Sequence, residues 1–138
     1  MVITGELHVR TAGHTDIHDI TSLVQAQVSG SGLRAGIVTV FCPGSTGGLT
    51  TIEYESGVIA DLREAFEGLA SEDRDYQHHR RWGDDNGSAH IRAALVGPSL
   101  TVPFVAGRLT LGTWQQIVFL DFDTTPRARK LIVQVMGE

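Results

Sequence analysis

The sequence predicts a single α+β domain spanning residues 1–138, with largely antiparallel β-sheets packed against two main helices. Three observations lead to this prediction. The chain has 138 residues, a length that suits one domain. Hydrophobic residues make up 41% of it and charged residues 20%, which is typical of a folded globular protein. Helix-like windows fall in the first half, whereas strand-like runs cluster in the second half.

The chain begins with two strand-like segments followed by a helix-like window. Val2–Arg10 alternates partly between apolar and polar residues, and Asp16–Ile20 follows a turn that contains glycine. Ser22 and Gln25 then have the spacing of a capping box, and Gly30 provides a stop signal. This window therefore predicts a short helix.

A strand, a glycine-rich loop, another strand and a second helix come next. Ala35–Cys42 holds a nearly continuous apolar, β-branched run, which predicts a strand buried on both faces. The loop Pro43–Gly48 and the strand Leu49–Tyr54 follow. Ser56 is a candidate N-cap for a helix ending near Leu69, because apolar residues recur there at helical spacing.

The second half of the chain opens with a polar segment and continues with strand-like runs. Residues 70–89 show neither helical nor strand periodicity, and loops of that length are usually functional or disordered. Five strand-like runs follow: Ile91–Val96, Leu100–Val105, Gly107–Leu111, Gln115–Phe122 and Lys130–Val135. This order favours an antiparallel sheet over a doubly wound α/β fold.

Charge and cysteine content argue against several classes of protein. The net charge is −5, with 11 basic and 16 acidic residues, so binding to nucleic acid by phosphate neutralisation is not expected. One cysteine, Cys42, excludes a disulfide framework within the chain and is consistent with a reducing compartment. The first residues show no basic region followed by an apolar run, so no signal peptide is expected, and no apolar stretch approaches 18 residues. We therefore expect a cytoplasmic protein without a membrane segment.

The polar segment contains the residues best suited to chemistry. His78, His79 and His90 fall within 13 residues, and Asp84 and Asp85 lie between them. Imidazole and carboxylate groups bind divalent ions such as Zn²⁺, and they also act as acids and bases near neutral pH. A solvated loop is the alternative. Neighbours in an extended segment point in opposite directions, so at most one of the two adjacent histidines would face a given site.

The glycine-rich loop is a candidate anion-binding segment. Its glycines allow backbone N–H groups to approach an anion, and Ser45 and Thr46 add hydroxyl donors. No Gly-Lys-Ser/Thr follows, so the loop is not a P-loop, and an ordinary turn is the alternative. Glu53, the only acid in the following strand, is either a catalytic carboxylate or a solvent-facing residue.

Several short motifs in the second half of the chain resemble, in the same order, the signature of the YjbQ-like proteins, and the resemblance extends over nearly the whole chain. They are Tyr76–His78, Asp84–Asn86, Ala89–Ile91, Gly97–Pro103 and Gly107–Ile117. The resemblance implies a small α+β fold, a homotrimer and a polar pocket near a subunit boundary. It also implies secondary thiamine-phosphate-synthase activity, in which a pyrimidine pyrophosphate and a thiazole phosphate are joined and pyrophosphate is released.

Site residues follow from the matching motifs and from the loop chemistry. The expected catalytic residues are Glu53, His78 and His90. The expected metal ligands, for Zn²⁺ or Mg²⁺, are His78, Asp84, Asp85 and His90. The expected ligand- or anion-binding residues are Ser45, Thr46, Asn86, Ser99 and Gln115. His78 is preferred to His79 because it occupies the Tyr-x-His position of the motif.

This chain departs from the family pattern in the loop after the buried strand. Many members carry a His-Thr pair where this sequence has Gly44, Ser45 and Thr46. Two alternatives to the transferase therefore stay open. One is a metal-dependent hydrolase of a small phosphate or amide, and the other is a non-enzymatic trimer that binds an anion or small molecule. In each case the expected partner is a small molecule, and for the transferase it is a phosphorylated one.

Overall fold

Two antiparallel sheets carry the fold, and a computed structural model describes them over all 138 residues. The elements in chain order are β1 (Val2–Thr11), β2 (Asp16–Asp19), α1 (Thr21–Ser31), β3 (Ala35–Phe41), β4 (Gly47–Ile52), α2 (Ser56–Leu69), α3 (Gln77–Trp82), α4 (Gly87–Val96), β5 (Ser99–Val105), β6 (Arg108–Leu109), β7 (Gln116–Asp121) and β8 (Arg127–Gly137). The predicted α+β class is confirmed. None of the four helices combines the length and apolarity needed to cross a membrane.

The sheets stack so that one of them is buried on both sides. The five-stranded sheet has the order β1-β8-β3-β5-β6, and the three-stranded sheet has the order β2-β7-β4. Ile117 and Phe119 of β7 face the core shared with the larger sheet, whereas Val118 and Leu120 face α2 and α4. All four side chains are fully buried. A strand enclosed in this way needs apolar residues on both faces, as β7 has.

The prediction that Ala35–Cys42 is buried on both faces is wrong for the single chain. Val38 and Val40 are buried in the core between the sheets. Ile37 and Phe41 point the other way and are 39% and 42% exposed. The reason is that nothing within one chain covers the outer face of the five-stranded sheet. An apolar run in the sequence does not reveal where its second covering layer comes from.

The predicted loop at residues 70–89 and the predicted strand Ile91–Val96 are also wrong. The structure has α3 and α4 there, so the chain has four helices where two were expected. Ala89, Ala93 and Val96 recur at positions i, i+4 and i+7 of α4 and pack on the three-stranded sheet. Ile91 is on the exposed face of α4, so its β-branched side chain says nothing about the backbone.

Candidate active site

Helices α3 and α4 meet at a sharp corner that brings His78 and His90 together. Their ring centroids are 4.3 Å apart, and the ring planes are inclined by 39°. The connection is tight because Gly83 and Asp85 both adopt the left-handed conformation, with φ of 71° and 57°. Such a conformation is strained for a residue other than glycine, and strain of this kind concentrates at functional sites. We call this region the histidine corner.

The environment of His90 favours its neutral form. Burial, and after it the nearby His78, lower the pKa of His90 below its ordinary value, against a smaller opposing effect of Asp84 and Asp123. A neutral imidazole at physiological pH is available to accept a proton. Asp84 Oδ1 lies 3.2 Å from His78 Nδ1, although the two groups are not in hydrogen-bonding geometry.

The histidine corner also contains every buried side-chain polar atom in the chain that lacks a hydrogen-bond partner. These atoms are His78 Nδ1, His79 Nδ1 and Asn86 Oδ1. Folded proteins satisfy nearly all such atoms, and exceptions call for a specific explanation. Their concentration within nine residues of the sequence makes this corner the part of the protein best prepared to contact a polar ligand.

The glycine-rich loop passes beside the corner and forms one wall of a cavity. The cavity has a volume of about 230 Å³ and is lined by Gly44, Ser45, Gly47, His90, Ala93, Ala94 and Pro98. Gly47 is required by space, because a Cβ there would lie 2.8 Å from the Phe119 ring. Ser45 is exposed in this wall, so its hydroxyl is free to contact a ligand.

Thr46, predicted to bind an anion, is buried and anchors the loop. Its Oγ1 donates a hydrogen bond to Asp123 Oδ2 (2.9 Å) and accepts one from Arg129 Nη2 (2.7 Å). Asn86 donates to the other oxygen of Asp123, at 3.4 Å. Asp123 therefore connects the loop to the start of α4 and fixes the position of the cavity wall.

Arg129 is a positioning residue that sequence reasoning did not identify. Its Nε and Nη2 bind the carboxylate of Asp121, at 2.7 and 2.8 Å, and Thr11 also donates to that carboxylate. Burial raises the pKa of Asp121, but the hydrogen bonds from Arg129 and Thr11 outweigh it, so the pKa lies below its usual value. The available signal was the single basic cluster at residues 127–130.

Glu53 and Gln115, which were expected at the same site, lie elsewhere in the single chain. Glu53 follows Gly47 by six residues, about 20 Å along an extended strand. It lines a separate cavity of about 440 Å³ that also contains the exposed Trp114. Gln115 donates to Thr51 Oγ1 at 3.1 Å. Ser99 opens β5 next to Pro98, at the rim of the histidine cavity.

The expected metal ligands are only partly assembled. His78, His90 and Asp84 lie together, but Asp85 Oδ1 lies 3.4 Å from Nδ1 of His79. No group of three or more His, Cys, Asp or Glu side chains is arranged to hold a metal ion. The donors of one chain therefore do not fit a complete metal site, and the divalent ion stays a prediction.

The reasoning that separated His79 from His78 needs correction. It assumed an extended segment, whereas both residues lie on α3. His79 Nε2 contacts Asp75 Oδ1 at 2.9 Å, and its Nδ1 is one of the unpartnered atoms of the corner. His79 nevertheless does not contact His90, so only His78 forms the histidine pair.

Comparison with known proteins places this geometry in a family context. The family model described as "UPF0047 protein YjbQ-like" matches residues 5–138. A UPF0047 protein of Methanothermobacter thermautotrophicus is 40% identical over 137 residues, which cover 99% of this chain and 94% of that protein. A UPF0047 protein of Archaeoglobus fulgidus is 41% identical over 131 residues, which cover 95% and 99%.

Solved structures support the same assignment. A YbjQ-like protein of unknown function from Sulfolobus solfataricus has a TM-score of 0.94 and 30% identity, covering 100% of this chain and 99% of that one. A YjbQ/UPF0047 protein from Clostridium acetobutylicum has a TM-score of 0.87 and 35% identity, with 96% and 99% covered. The match is nearly complete in length and extends to the fold, and the chain therefore belongs to the YjbQ-like UPF0047 family.

Proposed function

We propose that the protein is an acid–base enzyme for a small phosphorylated molecule, and that its reaction is a thiamine-phosphate-synthase-type transfer. The observation that carries the proposal is the His78–His90 pair beside the glycine-rich loop. Two imidazoles in contact, one of them biased towards its neutral form, provide a proton acceptor and a potential proton donor. The family resemblance supplies the reaction class.

The proposed reaction assigns each group a role. The bond between the pyrimidine methylene carbon and the pyrophosphate oxygen breaks, and the oxygen keeps the electron pair. The thiazole nitrogen uses its lone pair to form the new C–N bond. His78, next to the Asp84 carboxylate, protonates the departing pyrophosphate, while neutral His90 beside it stays available as the proton acceptor of the pair. Ser45 and the backbone N–H groups of the loop hold the phosphate.

The proposal includes a homotrimer, as the resemblance implies. What supports an assembly is the uncovered outer face of the five-stranded sheet. Its exposed apolar residues are Val2, Ile37, Phe41, Val105 and Met136. Register pairs Ile37 with Met136, and strand alternation puts all five side chains on the same face. We further propose that Glu53 of one subunit completes the histidine corner of its neighbour, because Glu53 and His90 lie in separate cavities of one chain.

The experiment that tests the reaction is a direct assay with hydroxymethylpyrimidine pyrophosphate and thiazole phosphate. We expect thiamine phosphate and pyrophosphate in equal amounts from the wild-type protein. His78→Asn and His90→Asn should each lower kcat by roughly 100-fold or more, the usual size of an acid–base contribution. His14→Asn is the matched control, because His14 lies in the turn between β1 and β2, its side chain is 54% exposed, and its left-handed backbone (φ 55°) suits asparagine.

The results of this assay distinguish the transferase from the hydrolase and test the role of the histidine pair. Absence of thiamine phosphate from the wild-type reaction overturns the transferase, and phosphate release from either substrate alone indicates a hydrolase in its place. Full activity of His90→Asn contradicts the role of the histidine pair. Equal loss of activity in the His14→Asn control would contradict a specific role for the histidine pair.

A further inference from the structure

Helix α3 carries His78 but has no anchor of its own in the core. None of its six residues is buried, and Trp82 at its end is 73% exposed. A helix of fewer than about 12 residues is marginal in water unless other parts of the protein hold it. The position of His78 relative to His90 therefore depends on contacts made by the residues that flank α3.

Tyr76, the residue before α3, makes such contacts. It is the N-cap of α3, and its hydroxyl donates a hydrogen bond to the Ser71 carbonyl oxygen at 2.6 Å. Its ring meets the His79 ring edge-on, with the centroids 6.3 Å apart. The hydroxyl proton is bound to the backbone that follows α2, so Tyr76 is placed to hold α3 and not to exchange a proton with a ligand.

Gly87, the first residue of α4, is the second contact of Tyr76. A Cβ at Gly87 would overlap the Tyr76 Cβ and would lie 2.6 Å from its Cγ, much closer than carbon atoms pack. The overlap is with the base of the tyrosine side chain, so a rotation of the ring does not relieve it. Gly87 is buried and is not left-handed, and space is therefore the reason that this position needs glycine.

The contact between Tyr76 and Gly87 lies close to both imidazoles along the chain. Tyr76 precedes His78 by two residues, and Gly87 precedes His90 by three, which is less than one helical turn in each case. A change in this contact therefore moves α3 relative to α4 at the histidine pair.

We propose that Tyr76 is a positioning residue, which sets the spacing of His78 and His90 through its contact with Gly87. Its effect on catalysis rests on the proposed function, whereas its effect on the spacing of the two rings is a property of the fold alone. An added methyl group at Gly87 should separate the rings, and loss of the Tyr76 hydroxyl should loosen α3.

The test is a nuclear Overhauser measurement between the ring protons of His78 and His90 in the full chain with isotope-labelled histidine. His78→Asn and His90→Asn assign the signals. With ring centroids 4.3 Å apart, the wild-type protein should show a strong cross-peak. Gly87→Ala should abolish it, and Tyr76→Phe, which keeps the ring but loses the hydrogen bond, should weaken it. A cooperative urea transition shows that a variant is folded, and Tyr76→Phe decides the matter if Gly87→Ala does not fold.

Kinetics separate the spacing of the pair from its use in catalysis. In the thiamine phosphate assay, Gly87→Ala should lower kcat by roughly 100-fold with little change in KM, because a displacement of about 1 Å disturbs proton transfer more than substrate binding. If the wild-type protein forms no thiamine phosphate but the cross-peak changes as expected, the transferase is wrong and the role of Tyr76 stands. Full kcat in a Gly87→Ala protein that has lost the cross-peak contradicts a catalytic role for the spacing.

Each variant has a matched control elsewhere in the chain. Tyr54→Phe removes the only other tyrosine hydroxyl, which donates to the Ile17 carbonyl oxygen at 3.1 Å. Gly68→Ala adds a methyl group on α2 at a position with no atom within 4 Å beyond its own helix and chain neighbours. Both controls should keep the cross-peak. A wild-type protein without the cross-peak, an unchanged cross-peak in Tyr76→Phe or in folded Gly87→Ala, or its loss in either control overturns the proposal.

Discussion

The ion pair between Asp121 and Arg129 shows how much of this fold depends on single residues. Asp121 belongs to β7 of the smaller sheet, and Arg129 belongs to β8 of the larger one. The pair therefore joins the two sheets, and Thr11 of β1 adds a third contact. The basic residues at positions 127–130 stand out in the sequence, but the partner of Arg129 does not, because a pairing between sheets depends on topology that local patterns do not contain.

Replacement of Arg129 should be strongly destabilising. Arg129→Ala leaves the fully buried Asp121 carboxylate without its main partner, and breaking a buried pair in this way costs about 3–5 kcal/mol. Arg127→Ala is the control, because Arg127 is 48% exposed and its pair with Asp123 is worth at most about 1 kcal/mol. Urea unfolding measures both changes, and similar losses in the two variants would contradict the argument.

The histidine pair should make stability depend on pH near neutrality. Because the pKa of His90 is lowered in the folded protein, the unfolded chain binds this proton first as pH falls through about 6.5. Stability should therefore decrease as pH drops below that value. Urea unfolding between pH 5.5 and 8 should show a weaker dependence in His90→Asn than in the wild-type protein. An unchanged dependence, with His14→Asn as reference, would refute the assignment.

The structure brings some of the expected metal ligands together and separates another from them. His78, Asp84 and His90 were expected together, and the structure brings them together at one corner. Asp85 was grouped with them by its place in the sequence, but the left-handed turn directs it towards His79. A single backbone conformation thus separates two adjacent carboxylates, and no composition or spacing rule predicts it.

Among the elements, α4 shows most clearly why the sequence was misread. Its Ala89, Ala93 and Val96 contact the sheet at helical spacing, yet Ile91 and Val96 suggested a strand. In a short segment the two periodicities are hard to separate, and packing against the smaller sheet decides the outcome. β1, β4 and β7 were predicted within a few residues of their actual bounds, since their apolar runs are clear.

The start of α2 offers a test at the scale of one element. Ser56 was expected to cap this helix, but it is the first helical residue. Glu55 is the N-cap, and its carboxylate accepts hydrogen bonds from the N–H groups of Gly57 and Val58. Glu55→Ala should therefore cost about 1 kcal/mol in unfolding free energy. Glu53→Ala, the control, should cost little, and an equal loss would contradict the capping role.

At the scale of the whole molecule, the outer face of the larger sheet is the apolar surface that a single chain leaves uncovered. The sequence predicted two-sided burial of β3, whereas the chain buries only one side. The predicted two-sided burial and the one-sided burial seen in a single chain are compatible if copies of the chain cover the exposed face. The apolar residues Ile37 and Phe41 then fulfil the pattern that led to the prediction. An apolar run in the sequence indicates that both faces of the strand are buried, but it does not show whether the same chain or another copy covers the second face.

Light scattering should detect this assembly. A homotrimer has a mass of about 45 kDa, three copies of a 14.9 kDa chain. Ile37→Lys places a charge in the centre of the exposed face and should shift the protein towards monomer. Leu95→Lys is the control, because Leu95 is exposed on α4, away from that face. A wild-type mass near 15 kDa, or dissociation caused by Leu95→Lys, would contradict the proposed interface.

Mixing two inactive variants tests whether neighbouring subunits complete the site. Glu53 and His90 lie in separate cavities of one chain, so each active site needs Glu53 from one subunit and His90 from the next if both take part. Glu53→Gln and His90→Asn should each be inactive alone. Mixed by unfolding and refolding together, they should regain about a quarter of wild-type activity, because random assembly makes one site in four intact. If the mixture stays inactive although mixed trimers form, both residues must act within one chain, and the assignment of Glu53 to the neighbouring site is then wrong.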